Sequence, residues 1–186
     1  MREIKATQGY VVKVDDEDYE WLSKYSWHMF KQCATKNGLR THVYVRTQLS
    51  MTDDDGYAWK REAMMHRMIL GAKRDEFVDH VNCDTLDNRR KNLRICTRSE
   101  NSKNARKMKT GPGVSCTSKY KGVHLGNNCG TKNPWRANIT NNGKRMSLGG
   151  FATEMSAAIA YDEAARKYHG SFAHTNFEEV VQCVPD

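Results

Sequence analysis

The chain has 186 residues, a formal net charge of +8, only 38% apolar residues and a pI near 9.2, a balance that favours a polyanionic partner, nucleic acid or an anionic membrane surface. So little apolar material favours two small domains and a linker over one large core. No apolar run approaches the ~20 residues that span a bilayer, and Met1-Arg2-Glu3-Ile4-Lys5 lacks the apolar stretch of a signal peptide, so a cytoplasmic protein is expected, or a nuclear one if the host has a nucleus.

The first 60 residues read as a small β-rich unit. Residues 10–14 predict a strand, and Asp15 a cap for a short helix carrying Asp18, Tyr19, Trp21 and Leu22. Residues 27–33 and 41–47 read as a hairpin around Lys36-Asn37-Gly38, where Asn-Gly favours a tight turn. Trp21, Trp27 and Tyr44 read as core aromatics rather than base-stacking ones. Asp53-Asp54-Asp55-Gly56 is a turn and lacks the remaining spacing of an EF-hand loop. Over residues 63–70 the pairs Met64/Met68 and Met65/Ile69 predict a helix that stops at Gly71. His66 on it reads as a packing or hydrogen-bonding histidine, with phosphate contact the minor reading.

The chemistry is concentrated between residues 77 and 109. Asp79 and His80 follow the apolar pair Phe77-Val78, and a loop rich in Asn and Asp runs over residues 82–92. Residues 93–96 then form a short strand. Thr97-Arg98-Ser99-Glu100 fits the capping box, so a helix starts near Arg98 and presents Asn101, with Asn104 on the same face. A carboxylate and an amide oxygen can hold a hard divalent cation, an imidazole can take a proton from water, and cations can hold a phosphate. That is the equipment for cutting a phosphodiester.

This segment resembles the ββα-metal core of HNH homing endonucleases, in the branch often found in phages, where an Asp-His pair and two asparagines stand for His, Asn and His. The resemblance implies that Asp79 is the first metal ligand, His80 the general base and Asn101 the second metal ligand. Asn92 matches the central asparagine, which fixes the loop and orients the histidine; Asn88 is a rival for that place, and Asn104 a weaker rival for the last. One divalent metal is implied, Mg²⁺ before Mn²⁺, and a phage-infected or bacterial cell as the setting. His66-Arg67, within Met64-Met65-His66-Arg67-Met68-Ile69-Leu70-Gly71, resembles the helix that precedes the core in these enzymes. The expected nuclease domain covers residues 1–106, with its β-rich part at 1–60 and the ββα core at 76–106. Its cations Arg89, Arg90, Lys91, Arg94, Arg98, Lys103, Arg106 and Lys107 are expected to clamp the DNA backbone.

Gly111-Pro112-Gly113 ends the helical pattern, and residues 107–118 read as a basic linker able to lie along phosphates. A second unit is expected over residues 119–180. Tyr120-Lys121-Gly122-Val123-His124 reads as a strand, and Trp135-Arg136-Ala137-Asn138-Ile139-Thr140 as another that puts Arg136, Asn138 and Thr140 on one face. Asn141-Asn142-Gly143 turns the chain into a third, through Lys144, Arg145, Ser147 and Gly149. Thr153 caps a helix whose Ala157, Ala158 and Ala165, with Ile159, Tyr161 and Tyr168, can lie flat on the sheet, and Gly170 closes it.

These residues resemble the AP2 DNA-binding domain of plant transcription factors, also found on phage and bacterial HNH endonucleases. The motifs are Tyr-Lys-Gly-Val, Trp-Arg-Ala-Asn-Ile, Ser-Leu-Gly-Gly-Phe, Ala-Ala-Ile-Ala-Tyr-Asp-Glu-Ala-Ala and Asn176-Phe177. The resemblance implies a sheet that enters the major groove. Lys121, His124, Asn138, Thr140, Arg145 and Ser147 stand at contacting positions, Lys144 beside them, and Arg136 is a flanking phosphate contact. The plant domains often have Arg and Trp where this chain has His124, Thr140 and Ser147, so their preferred sequence is not transferred.

Six cysteines, at 33, 83, 96, 116, 129 and 183, include no C-x-x-C pair, which argues against a structural zinc site. The expected fold class is α+β: a small β-rich N-terminal unit leading into a ββα nuclease core, then a three-stranded antiparallel sheet packed on one helix. The expected function is a site-specific, homing-type DNA endonuclease that acts on double-stranded DNA, leaves 5′-phosphate and 3′-hydroxyl ends, and nicks as a monomer. The alternative is a DNA-binding regulator on the same folds without catalytic activity.

Overall fold

The computed structural model describes residues 1–33, 41–107, 118–126 and 132–177. The chain opens with β1 (Arg2–Lys5), a strand the sequence reading missed, which pairs antiparallel with β2 (Val11–Val14). Alternation buries Val12 and Val14 and turns Lys13 outward. Helix α1 (Asp16–Leu22) follows, with Asp16, Glu17 and Asp18 in its first turn, where negative charge suits the helix dipole. Asp15 stands at the N-cap position but bonds no amide of its own helix. Its carboxylate instead accepts the backbone N–H of Arg90 at 2.7 Å, so a long-range donor wins over the local one.

Strands β3 (His28–Cys33), β4 (Thr41–Thr52) and β5 (Ala58–Met64) form an antiparallel sheet in that order. The expected Asn-Gly turn lies outside the described residues. β4 runs on past residue 47, and β5 was not foreseen because its first five residues are all exposed and show no alternation of burial. It takes Ala63 and Met64 from the expected helix, so α2 (Met65–Leu70) is shorter than predicted. Gly71 ends it in the left-handed conformation, φ +59°, as expected of a glycine C-cap.

Strands β6 (Phe77–His80) and β7 (Leu93–Cys96) then pair antiparallel, and α3 (Arg98–Asn104) follows. The capping box forms at its start: Glu100 N–H donates to Thr97 Oγ1 at 3.2 Å, and Thr97 N–H to Glu100 Oε2 at 2.7 Å. Val12, Val14, Leu22, Trp27, Val45, Met65 and Leu93 make one apolar cluster across these elements, and each such side chain contributes roughly 1.5–3 kcal/mol by burial. The chain divides into two compact units, Met1–Asn101 and Ser102–Asp186, with the boundary inside α3.

In the second unit β8 (Val123–Leu125), β9 (Trp135–Asn141) and β10 (Lys144–Phe151) form a sheet of order β10-β9-β8. β8 starts three residues later than predicted because Gly122 turns the chain at φ +76°. A Cβ at Gly122 would stand 2.0 Å from Tyr161 Cδ2, so the close approach also requires glycine. Asn142 and Gly143, at φ +49° and +75°, make the tight turn between β9 and β10.

Helix α4 (Glu154–His169) is capped by Thr153, whose Oγ1 accepts from Ser156 N–H at 3.1 Å. It lays Ala157, Ala158, Tyr161, Ala164 and Ala165 against the sheet. Ile159 and Tyr168 are exposed, contrary to the sequence reading, because the 3.6-residue period puts them off that stripe; Ala164 takes the inward place. The buried Asp162 carboxylate accepts from Asn176 N–H at 2.8 Å and Phe177 N–H at 2.9 Å, while Asn176 Oδ1 takes Lys121 N–H at 2.6 Å. This polar clasp ties residues 176–177 to α4 and to Lys121 ahead of β8. Among the described residues no helix is long and apolar enough to cross a membrane.

Candidate functional site

The register of β6 and β7 sets Asp79 opposite Arg94 and His80 opposite Leu93. Asp79 and His80 are both buried, and each meets different neighbours. Asp79 Oδ2 accepts from Arg94 Nε at 2.9 Å and Nη2 at 2.7 Å. His80 Nε2 faces Asn88 Oδ1 at 3.4 Å, the long end of a hydrogen bond. If Nε2 carries the hydrogen, the basic lone pair is on Nδ1. Burial lowers the His80 pKa below the ordinary histidine value, against the raising pull of Asn88, Asp79, Asp84 and Asp87. The ring is therefore neutral at neutral pH and able to take a proton.

Two more rings close on His80. The His66 ring on α2 meets it edge to face at a centroid distance of 5.3 Å, and the Tyr44 ring on β4 lies 6.2 Å from His80 and 5.3 Å from His66. Burial, with the charges of His80 and Arg67, pushes His66 down to about 3. The reading of His66 as a packing histidine is right in kind, and what it packs on is His80. Tyr44, read as core, belongs to the same group. Arg67 beside His66 donates to Glu76 O at 2.7 Å and Ala72 O at 3.4 Å, and also to Lys73 O. It thereby ties down the loop that leads into β6. The signal for both residues was the His66-Arg67 pair itself.

The loop between β6 and β7 is held by its asparagines, which divide the role assigned to one. Asn92 Oδ1 accepts Asn82 N–H at 3.0 Å and its Nδ2 donates to Asp87 O at 2.7 Å, so Asn92 fixes the loop. Asn88, the rival position, is the one that faces the His80 ring. Backbone bonds from Lys13 N–H to Leu86 O at 2.9 Å and from Asn88 N–H to Lys13 O at 2.8 Å dock the loop on β2. The β-rich beginning of the chain thus serves as a platform for the loop.

Several expected DNA-contacting cations have partners within the protein. Arg89 forks onto Asp87 at 2.7 and 2.5 Å, which holds that carboxyl below its ordinary value. Arg90 bonds Asp18 at 2.8 and 2.7 Å, and also Glu17. Lys107 Nζ donates to Tyr120 O at 2.6 Å, and Lys121 Nζ to Lys103 O at 2.6 Å. Lys91, Arg98 and Arg106 are exposed.

Asn101 sits in the first turn of α3, half-buried. The Cys96 thiol marks its neighbourhood: burial, Asp79 and Glu100 push it up to about 11, against Arg94 and a hydrogen bond from the Asn101 backbone. Cys96 therefore stays protonated, and the two ligands assigned from the sequence are oxygen donors, the Asp79 carboxylate and the Asn101 amide. Such a pair suits Mg²⁺, which takes one or two protein oxygens and keeps water on its other positions. Among the described residues no three His, Cys, Asp or Glu side chains cluster as a metal site.

The second unit presents a different surface. Alternation along β9 buries Ala137 and Ile139 on α4 and turns Arg136, Asn138 and Thr140 away from it. The register sets Arg145 opposite Thr140, Ser147 opposite Asn138 and His124 opposite Arg136, so these side chains share one sheet face. Lys144 lies exposed at the edge of the turn. The Asn138 amide is best placed with its oxygen toward Arg145 Nη2, at 2.9 Å, and beside the His124 ring at 3.4 Å. Burial, then the charges of Arg145, Lys107 and Arg136, lower the His124 pKa, which shows how densely the face is positive.

The HNH endonuclease family model matches residues 71–103, the stretch that holds Asp79, His80, Asn88, Asn92 and Asn101. The uncharacterized HNH endonuclease L560 of Acanthamoeba polyphaga mimivirus is 31% identical over 102 residues, 55% of this chain and 48% of its own length. Over the C-terminal region, dehydration-responsive element-binding protein 2D of Arabidopsis thaliana is 45% identical over 80 residues, 41% of this chain and 36% of its own length. APETALA2-like protein 2 of Oryza sativa is 42% identical over 73 residues, 39% of this chain and 16% of its own length. The chain spans less than half the length of each of these relatives. The core around His80 is of the HNH nuclease class. The chain joins that core to an AP2-type region.

Proposed function

We propose that the chain is a site-specific, metal-dependent DNA endonuclease of the homing type. The observation that carries this reading is His80: a buried, neutral imidazole placed by Asn88, Tyr44 and His66, next to Asp79 and inside the matched segment 71–103. His80 takes the proton of the attacking water, and the ring contacts hold it in one orientation for that step. Asp79 and Asn101 would hold a divalent cation, Mg²⁺ in the first instance, whose charge would offset that on the phosphate and the departing oxygen. Asn92 keeps the loop in shape, and the products are a 5′-phosphate and a 3′-hydroxyl.

Site selection belongs to the sheet face that carries His124, Asn138, Thr140, Arg145 and Ser147, with Arg136 and Lys144 on phosphates. Double-stranded DNA is the substrate, because a sheet face of this width reads base edges in the major groove. One Asp-His…Asn…Asn set cuts one strand, so the protein nicks as a monomer. The test is supercoiled plasmid carrying a target selected from random sequence, incubated with and without Mg²⁺. Open circle that forms first, only with Mg²⁺, supports the reading. Binding with no cleavage under any divalent cation identifies a DNA-binding regulator instead, and linear product first, second order in protein, removes the monomer.

A further inference from the structure

Arg94 was expected on the DNA backbone, but its resting place is the Asp79 carboxylate. Two of its bonds, 2.9 Å from Nε and 2.7 Å from Nη2, end on the same oxygen, Oδ2. The pair is enclosed, the Arg94 side chain 18% and the Asp79 side chain 7% exposed. A buried carboxylate needs a counter-charge, and without DNA the guanidinium supplies it. Asp79 is also the carboxylate assigned to the cation. A guanidinium has only donors, so it and a cation compete for that oxygen and repel each other.

We infer that Arg94 couples cation binding to DNA binding: it holds Asp79 in the absence of DNA and moves to a backbone phosphate when DNA is bound, releasing the carboxylate to the cation. The inference rests on Asp79 being a cation ligand, as proposed above. A phosphate is the right destination because the guanidinium fork fits its oxygens as well as it fits a carboxylate. DNA also brings that phosphate to the same place as the cation. By linkage, DNA then tightens cation binding and the cation tightens DNA binding by the same factor. A cation site that is weak until DNA arrives follows from one side chain with two acceptors to choose from. Arg94 is on this account a positioning residue, acting through Asp79.

The sign of one variant separates this from a structural ion pair. Mn²⁺ binding to the full chain without DNA is followed by loss of the free-ion electron paramagnetic resonance signal, with a melting curve for each variant. Arg94→Met should bind Mn²⁺ about tenfold tighter than wild type even as its melting temperature falls. Arg94→Lys, which keeps the charge, should stay near wild type, and Asp79→Asn should lose the binding. In a His80→Ala background, where DNA stays uncut, a duplex of about 30 base pairs at low salt should tighten Mn²⁺ binding. Adding Arg94→Met to that background should abolish the gain. If Arg94→Met does not fold, Arg94→Gln, which keeps a donor on Asp79 without the charge, carries the same expectation. Mn²⁺ affinity that is unchanged or weaker on loss of the Arg94 charge, with Asp79→Asn still losing binding, overturns the coupling and leaves the nuclease site standing. Binding indifferent to Asp79→Asn removes the cation site and the coupling together.

Discussion

The two units treat positive charge in opposite ways. Residues 1–101 carry 18 Lys and Arg against 16 Asp and Glu; residues 102–186 carry 12 against 6. In the first unit Arg89, Arg90 and Arg94 are each locked to a carboxylate, and each lock shapes the loop or strands around Asp79 and His80. In the second, among the described residues, no carboxylate pairs with Arg136, Lys144 or Arg145, and all three are exposed. In the DNA-free protein an arginine paired to a carboxylate positions protein, while an outward one with no carboxylate partner attracts a polyanion. The difference accords with the proposed function, in which chemistry belongs to one unit and recognition to the other.

The largest test of that division is His80→Ala. Loss of a positioned base costs on the order of 10²–10⁴-fold in rate, while DNA affinity, carried by the other unit, should be nearly unchanged. A nicking assay beside a gel-shift titration measures both. Cleavage at the wild-type rate would take His80 out of the mechanism, and a parallel loss of affinity would end the separation of roles.

Gly122→Ala probes the other side. The new Cβ meets Tyr161 at 2.0 Å and Asn138 O at 2.8 Å, with a backbone at φ +76° that a side chain strains. Overpacking of this kind costs roughly 1–3 kcal/mol, and the backbone strain adds to it. Calorimetry should show the second unit melting at lower temperature while the first keeps its transition. A shift of both together would mean that the units are not separately stable.

Arg145→Ala keeps the fold and removes one outward cation. It should weaken DNA binding by about 1–3 kcal/mol if Arg145 reads a guanine edge, and lower the salt slope by about one phosphate contact if it does not. The matching change in the first unit, Arg90→Ala, should instead lower the melting temperature, because it takes the guanidinium counter-charge from the buried Asp18. If Arg90→Ala weakens DNA binding as much as Arg145→Ala does, the contrast between locked and outward arginines fails.

What could be read from the sequence follows from how local each signal is. The capping box at Thr97, the glycine stop at Gly71, the Asn-Gly turn before Lys144 and the alternation along β9 are set by neighbouring residues, and all four formed where expected. The misses are long-range. Asp15 reads as a cap until Arg90, far along the chain, offers a better donor. β5 carries no alternation because neither face of it is fully buried. In sequence Asn92 is the central asparagine and Asn88 its rival, and only the fold shows Asn88 on the histidine and Asn92 on the loop. Tyr44 and His66 joined His80 through packing that no spacing announces.

The smallest predicted effect concerns that ring group and sharpens the picture of a neutral site. His66 is held at about 3 in the folded protein, mainly by burial, against 6.5 for an ordinary histidine. Between those values the unfolded chain binds a proton that the folded protein does not, so stability rises with pH through this window. Acidification below 6.5 therefore destabilises the fold, by about 1 kcal/mol over the first pH unit. His66→Phe keeps a ring against Tyr44 and His80 and removes the titrating nitrogens. Its denaturant midpoint should fall less steeply than that of wild type between pH 6.5 and 5, with the two proteins close above pH 7. Parallel pH profiles would show that His66 is solvated rather than enclosed, and the neutral ring group around His80 would lose its support.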